Sequence, residues 1–257
     1  MALAPSAAEI LFALGAADRV VAVSDFAGDL PEARGKARTG GFTPDLERVV
    51  ALAPDLVVAS RDGTDRASFE ALKRLGLRVL ATAASSLEGV LEDVRTVGEA
   101  IGEEERAARL VEDARRRIAA AEARARARRA SGAAPTSVLV VIWPDPPVVA
   151  GPSTFVGDLL RRALLVNVVP ASAGEWPRVS YETLAAWNPD ILVRPRTAEN
   201  AEVFSRAFLS DARWRLTPAV REGRVVTLPG NWIERPGPRL VDALERLAEL
   251  TSVEKAR

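Results

Sequence analysis

Residues 43 to 58 read Thr43-Pro-Asp-Leu-Glu-Arg-Val-Val-Ala-Leu-Ala-Pro-Asp-Leu-Val-Val58, and residues 179 to 193 read Val179-Ser-Tyr-Glu-Thr-Leu-Ala-Ala-Trp-Asn-Pro-Asp-Ile-Leu-Val193. Each opens on a residue that caps helices, Asp45 or Ser180, whose side-chain oxygen accepts one of the free amides of a first helical turn. Each places a glutamate in that turn, Glu47 or Glu182, where the helix dipole favours negative charge. Each then meets Pro-Asp and a run of aliphatic residues that reads as a buried strand. One chain that writes a capped helix and a buried strand twice predicts two α/β lobes of like construction.

Outward from this pair, the same alternation fills the chain. In the first hundred residues Ala7 to Gly15, Leu46 to Leu52, Ala67 to Leu75 and Leu87 to Ile101 read as helical, and Val20 to Val23, Leu56 to Ala59 and Arg78 to Ala81 as strands. Alternating elements of this kind imply parallel strands with helical crossovers. Between Gly102 and Gly132 runs a segment with neither glycine nor proline, on which Leu110, Val111, Ala114, Ile118 and Ala121 form an apolar stripe at helical spacing. At 1.5 Å per residue it would extend roughly 40 Å, longer than one lobe needs, and it reads as a strut; a long surface helix or coiled-coil arm is the plainer alternative. The alternation then restarts. Ser137 to Ile142, Ile191 to Val193 and Val225 to Leu228 read as strands, and Thr154 to Ala163, Tyr181 to Ala186 and Pro238 to Leu250 as helices, with Phe204 to Leu209 and Arg213 to Val220 helical or loop. The expected architecture is α/β: two Rossmann-like lobes with central parallel sheets joined by one long backbone helix, with a ligand cleft between the lobes. The boundaries are an N-terminal lobe over 1–102, the helix over 103–131 and a C-terminal lobe over 132–257.

Composition removes whole classes of function. The 257 residues are 48% hydrophobic, enough for sizeable cores, and 35 basic residues balance 35 acidic ones, which disfavours nucleic acid as the main partner. No apolar run is long enough to span a membrane, and no leader pattern follows Met1. With 0 cysteines and 0 histidines there are no disulfides, no thiolate or imidazole metal ligands and no Ser-His-Asp or Cys-His machinery. A glycine-rich dinucleotide or phosphate loop is also missing, and no carboxylates form a recognisable acid/base pair.

In open parallel sheets ligands gather beyond the carboxyl ends of the strands. There the chain reads Ser24-Asp-Phe-Ala-Gly28, Gly40-Gly-Phe-Thr43, Ser60-Arg-Asp-Gly63, Trp143-Pro-Asp-Pro-Pro147, Arg194-Pro-Arg196 and Gly230-Asn-Trp-Ile-Glu-Arg235. Phe26, Phe42, Trp143, Trp176 and Trp232 supply flat apolar surface, and Arg61 and Arg235 directed donors, a set suited to a large, rigid, partly apolar ligand with polar edges. Packing is the alternative for each tryptophan and is the reading for Trp187 and Trp214. For Glu47 and Glu182 the dipole alone explains a first-turn acid. Their repetition also fits two separated negative points on a surface that docks onto a dimeric partner with basic pockets.

These residues carry a resemblance. Leu3-Ala-Pro-Ser-Ala-Ala-Glu-Ile-Leu-Phe-Ala-Leu-Gly15, Val21-Ala-Val-Ser-Asp25, Gly40-Gly41 and Pro54-Asp-Leu-Val-Val58 follow the order of the substrate-binding proteins of ABC importers for cobalamin, haem and ferric siderophores. Glu175-Trp-Pro-Arg-Val-Ser180 and Asn231-Trp-Ile-Glu-Arg-Pro-Gly-Pro-Arg239 look most like the cobalamin-binding branch, and the similarity spans about residues 3 to 250. It implies that Glu47 and Glu182 pair with arginines of a permease dimer, that Pro5, Phe26, Trp176, Trp232 and Arg235 touch a corrin ligand, and that Phe42 lies close to such a position. Two departures are Ser60, where an aromatic can stand, and Phe26 in place of a more usual tyrosine. The sequence starts at Met1-Ala-Leu, where the family would have a leader and most of a first strand, and is read as a chain without that leader. The expectation is an extracytoplasmic, monomeric binding protein that captures cobalamin or a related corrinoid and delivers it to the permease, with no catalysis, cofactor or metal of its own. A ferric siderophore, and behind it haem, is the alternative ligand: the only tyrosine, Tyr181, sits beside Glu182, whereas cobalamin brings its own axial base. The alternative of another class is a cytosolic α/β enzyme using carboxylates.

Overall fold

Ala2 is the residue on which the N-terminal sheet turns: it forms parallel bridges both to Val23 and to Val58. A computed structural model describes residues 1–61, 63–132, 134–197 and 211–250; the segment over Phe204 to Leu209, expected as helical or loop, lies outside them. The chain divides into two compact units, one of Met1–Ala84, Glu88–Ala114 and Arg235–Pro238, the other of Ser85–Leu87, Arg115–Glu234 and Arg239–Arg257.

In the N-terminal unit β1 (Ala22–Val23) pairs in parallel with β2 (Ala37–Arg38), and β3 (Val57–Ser60) with β4 (Val79–Thr82). The Ala2 bridges join the two pairs, with Ala2 N–H donating to Ala22 O at 3.0 Å and Leu3 N–H to Val58 O at 2.9 Å. The helices are α1 (Pro5–Ala13), α2 (Leu46–Ala51), α3 (Arg66–Arg74) and α4 (Leu87–Ile101). Pro5 occupies the first turn of α1, where its missing N–H costs nothing. Met1, Leu3, Ala22, Val49, Val57, Ala59 and Leu72 form the core beneath the sheet.

Helix α5 (Glu104–Ala130) contributes its first part to this unit and the rest, from Arg115, to the other. Ala107, Val111, Ala114, Ile118, Ala121 and Ala125 are buried along it, at alternating spacings of four and three. Its arginines do more than solvate the outer faces. Arg117 pairs with Asp242 and Glu245, and Arg128 donates to the carbonyls of Ala248, Leu250 and Ala163 at 2.7, 2.7 and 2.6 Å, satisfying acceptors at the carboxyl ends of two other helices.

In the C-terminal unit β5 (Ser137–Pro144), β8 (Ile191–Arg196) and β9 (Val225–Pro229) run parallel in that order. The free side of β5 is shared: β7 (Val166–Asn167) pairs with its start in parallel and β6 (Pro147–Val149) with its end in an antiparallel hairpin. The helices are α6 (Phe155–Arg162), α7 (Tyr181–Trp187), α8 (Pro218–Arg221), α9 (Gly230–Ile233) and α10 (Leu240–Leu247). Trp214 is fully buried in the core with Leu139, Leu184 and Leu192, and Trp187 packs against it, so both act as packing residues.

The echo in the sequence is an echo in the backbone. Asp45 Oδ1 accepts the Arg48 amide at 3.0 Å and Ser180 Oγ the Thr183 amide at 3.2 Å, so both caps form. The two helices, α2 and α7, end alike, on Ala53 and Asn188, each with φ of 43°. Asp190 then accepts from Ser137 N and Oγ at 2.8 Å and so anchors the start of β5, and in the first copy the Met1 ammonium donates to Leu56 O, next to Asp55, at 2.9 Å.

One half-buried acid makes the N-terminal unit pH-sensitive. Asp93 on α4 accepts the Ala84 amide at 3.2 Å, yet burial outweighs this and pushes its carboxyl up to about 6. A folded-state value above the unfolded one, about 3.9, means the native state holds this proton more tightly. The stability Asp93 contributes is therefore full below pH ~4 and lost as pH rises to ~6. Since Asp93 is half-buried, Asp93→Asn, which keeps an acceptor for Ala84, is expected to be more stable than the parent by about 2 kcal/mol at pH 7.5. In urea unfolding the difference should nearly vanish at pH 4; equal stabilities at pH 7.5 would refute the assignment.

Candidate ligand-binding and docking sites

The carboxyl ends of the N-terminal strands gather four of the expected ligand residues. Phe26 lies in a single 3-10 turn, Asp25–Ala27, after β1, with its amide held by Ser24 Oγ at 3.3 Å and the Asp25 amide by Gly40 O at 2.9 Å. Its ring lies against Gly41, where a Cβ would stand 2.9 Å from Phe26 Cζ, so the missing side chain leaves room for the ring. The ring is 61% exposed, and Phe42 beside it 51%. The Phe42 carbonyl accepts the Asp65 amide at 3.0 Å, and Asp65 in turn caps α3 through Ser68, whose hydroxyl and amide hold its carboxyl below the usual range. Arg61 follows β3 and is exposed, while half-buried Pro5 starts α1 above the same strand ends. Large apolar rings in water are the informative feature here.

Arg235 also belongs to this unit, and it is not free. It is 9% exposed, with Nε 3.1 Å from Glu9 Oε2 and Nη1 3.1 Å from Asp29 Oδ1, and Nη2 is paired with Asp29 Oδ2. Its guanidinium is committed to two carboxylates, one on α1 and one just beyond the Phe26 turn.

In the C-terminal unit Trp143 ends β5 and is 43% exposed, and Trp176 is 37% exposed. The stretch carrying Trp176 runs along the outer edge of β6, with Val149 N–H donating to Pro177 O at 3.1 Å, Val179 N–H to Pro147 O at 3.0 Å and a bridge from Val148 to Arg178. Trp143, on β5, and Trp176, in the stretch beside β6, thus stand on chains to either side of β6. The Trp176 ring packs on Phe155, centroids 5.5 Å apart at 56°. Trp232 is half-buried on α9, immediately after β9.

Glu47 and Glu182 are both exposed in the first turns of α2 and α7. The Glu182 carboxyl is held below its usual range by its own amide and the Ser180 hydroxyl. Burial, reinforced by Asp145, pushes the Tyr181 phenol up to about 12, and that hydroxyl donates to Asp145. Among the described residues no group of acids has metal-holding geometry. A cavity of about 350 Å³ in the N-terminal unit is lined by Val20, Val21, Asp55 and Leu56, at the amino ends of the strands, and so lies at the other end of the sheet from Phe26 and Arg61.

Sequence reasoning missed the supports. Asp145, which holds Tyr181, Glu9 and Asp29, which hold Arg235, and Gly151, whose N–H donates to Glu175 O at 2.7 Å next to Trp176, act through contacts distant in sequence, which no local pattern announces.

Two parallel-sheet units share one long helix and carry exposed rings beyond strand ends, an arrangement of the binding-protein class, and no helix among the described residues is long and apolar enough to cross a membrane. The chain belongs to the periplasmic binding protein family, whose model matches residues 1–231. It is 30% identical to an ABC transporter substrate-binding lipoprotein of Bacillus subtilis over 97% of this chain and 78% of that one. It is 31% identical to a cobalamin-binding protein of Halobacterium salinarum over 96% of this chain and 67% of that one. Among solved structures, a periplasmic heme-binding protein from Roseiflexus superposes with a TM-score of 0.84 at 27% identity, covering 96% of this chain and 95% of that one. The chain is a substrate-binding component of the ABC importer type, with a permease and a small molecule as its partners.

Proposed function

We propose that this protein captures cobalamin or a related corrinoid outside the cytoplasm and hands it to an ABC permease, without catalysis. The observation that carries the ligand class is the combination of exposed rings, Phe26, Phe42 and Trp143 beyond or at strand ends and Trp176 beside β6, with a donor set empty of histidine and cysteine. A ligand held by flat apolar contact and edge donors suits this set, and cobalamin supplies its own axial base. The one tyrosine is buried against Asp145 and Pro144, which weighs against haem, whose iron takes a tyrosine or histidine in such receptors. Pro5, Phe26, Phe42, Arg61, Trp143, Trp176 and Trp232 are the proposed contacts. Arg235, paired with Glu9 and Asp29, is proposed as a support rather than a direct contact. The similarity to the cobalamin-binding protein of Halobacterium salinarum supports the same ligand.

The test is gel filtration with cyanocobalamin, in which the red absorbance should co-elute with the protein. Co-elution of hemin or a ferric hydroxamate instead would transfer the proposal to that ligand, and binding of none would end it. Glu47 and Glu182 are the proposed permease contacts. Glu47→Ala combined with Glu182→Ala is expected to weaken docking to permease vesicles at least tenfold while the corrinoid Kd stays within twofold; a large affinity loss would overturn this division of roles.

A further inference from the structure

One polar cluster in the C-terminal unit is used by nothing described so far. The Tyr181 hydroxyl, on the docking helix α7, donates to Asp145 Oδ1 at 3.1 Å and lies 3.3 Å from Pro144 O. Asp145 Oδ2 is paired with Arg213 Nη2 at 3.1 Å, and Arg213 is itself held by both oxygens of Asp211 and lies 4.4 Å above the Tyr181 ring. The tyrosine cannot swing away, because its ring meets fully buried Trp214 edge to face at 5.5 Å. Asp145 in turn is the tip of the β5–β6 hairpin, and its main-chain carbonyl accepts the Trp143 indole N–H at 3.0 Å.

The chain of contacts runs from α7 through one aspartate, by way of its carboxylate and then its main-chain carbonyl, to an exposed indole. A half-exposed tryptophan at the end of a strand has rotamer freedom that must be lost before it can present a flat face, and fixing it beforehand improves affinity. The cluster is also specific to this copy of the echoed unit: Leu46 stands before Glu47 where Tyr181 stands before Glu182, so packing of α7 alone does not require the hydroxyl.

We infer that Tyr181 is a positioning residue, which through Asp145 fixes the indole of Trp143 for ligand contact and registers it to the helix carrying Glu182. The ligand contact rests on the function proposed above; the positioning of the indole does not.

Two measurements separate them. In a ¹⁵N–¹H spectrum of the five indole N–H groups, Trp143→Phe identifies the Trp143 resonance. Tyr181→Phe, which keeps the ring against Trp214, should shift or broaden that resonance and leave those of Trp176 and Trp232 in place. Arg213→Gln, an exposed change that spares the core, should do the same by releasing the other oxygen of Asp145. An unmoved Trp143 resonance in both variants overturns the inference whatever the ligand is. In cyanocobalamin titrations Tyr181→Phe should raise Kd about five- to tenfold, the size of one lost hydrogen bond, and this effect should disappear in a Trp143→Ala background. The same rise in both backgrounds would mean that Tyr181 does not act through Trp143. Failure of the parent protein to bind cyanocobalamin would count against the proposed ligand, with the spectra still deciding the positioning.

Discussion

Arg235→Ala is expected to cost about 3–5 kcal/mol of stability, measured as a drop in ΔG of urea unfolding at unchanged slope. The magnitude follows from what the substitution leaves behind. Glu9 is 5% exposed and Arg235 9% exposed, so removing the guanidinium strands a carboxylate with little water to solvate it. Asp29 loses both of its paired nitrogens at once, and a Lys in place of Arg235 could satisfy only one acid, since its ammonium lacks the planar fork. The cluster is also fitted sterically: a Cβ on Gly237 would lie 2.7 Å from Glu9 Oε1, so the turn after Arg235 needs a residue without a side chain. Replacing the pair together, Glu9→Leu with Arg235→Leu, should recover most of the loss, because an apolar pair of similar volume has no desolvation to offset. The measurement also decides between two roles. A guanidinium whose main task is ligand contact would, when removed, lower affinity and leave unfolding unchanged; that result would return Arg235 to the list of direct contacts.

This arginine shows where reading a sequence stops. Helix α4 runs over Leu87–Ile101, the span its periodicity predicts, and α5 over Glu104–Ala130 within a residue of each expected end, because apolar spacing and the bounding glycines are local signals. The caps Asp45 and Ser180 and the exposed rings at the strand ends were equally legible. The β5–β6 hairpin was not, since Asp-Pro-Pro breaks any alternation and β6 is only Pro147–Val149. Nor were β2 and β7, of two residues each, which pair because neighbouring strands offer unpaired edges rather than through any propensity of their own. For Arg235 the local pattern suggested a loop residue offering a donor. Its partners lie far off in sequence, Asp29 at a separation of 206, and only the fold brings the Arg235–Pro238 segment into the N-terminal unit.

The same kind of distant contact sets the expected effect of Gly151→Ala, a loss of about 3 kcal/mol in stability, at the upper end for overpacking, together with a rise of tenfold or more in corrinoid Kd. A Cβ at residue 151 would stand 2.0 Å from Gly174 O and 3.0 Å from Glu175 O. Both obstacles are main-chain atoms, so no side chain can rotate aside; the 174–175 backbone must retreat by about 1 Å, and the 2.7 Å hydrogen bond from Gly151 N–H to Glu175 O must stretch. Residue 151 cannot move instead, because its carbonyl accepts the Thr154 hydroxyl at 2.8 Å, and that hydroxyl oxygen caps α6 by accepting the Gly157 amide at 3.1 Å. The displaced chain carries Trp176, whose ring is seated on Phe155 at the start of α6, so the indole leaves its seat as its backbone shifts. The affinity loss should therefore be shared with Trp176→Ala: once the indole is gone, adding Gly151→Ala should change Kd little further while still lowering the unfolding free energy. Equal affinity losses in the presence and absence of the Trp176 ring would show that Gly151 supports some other contact.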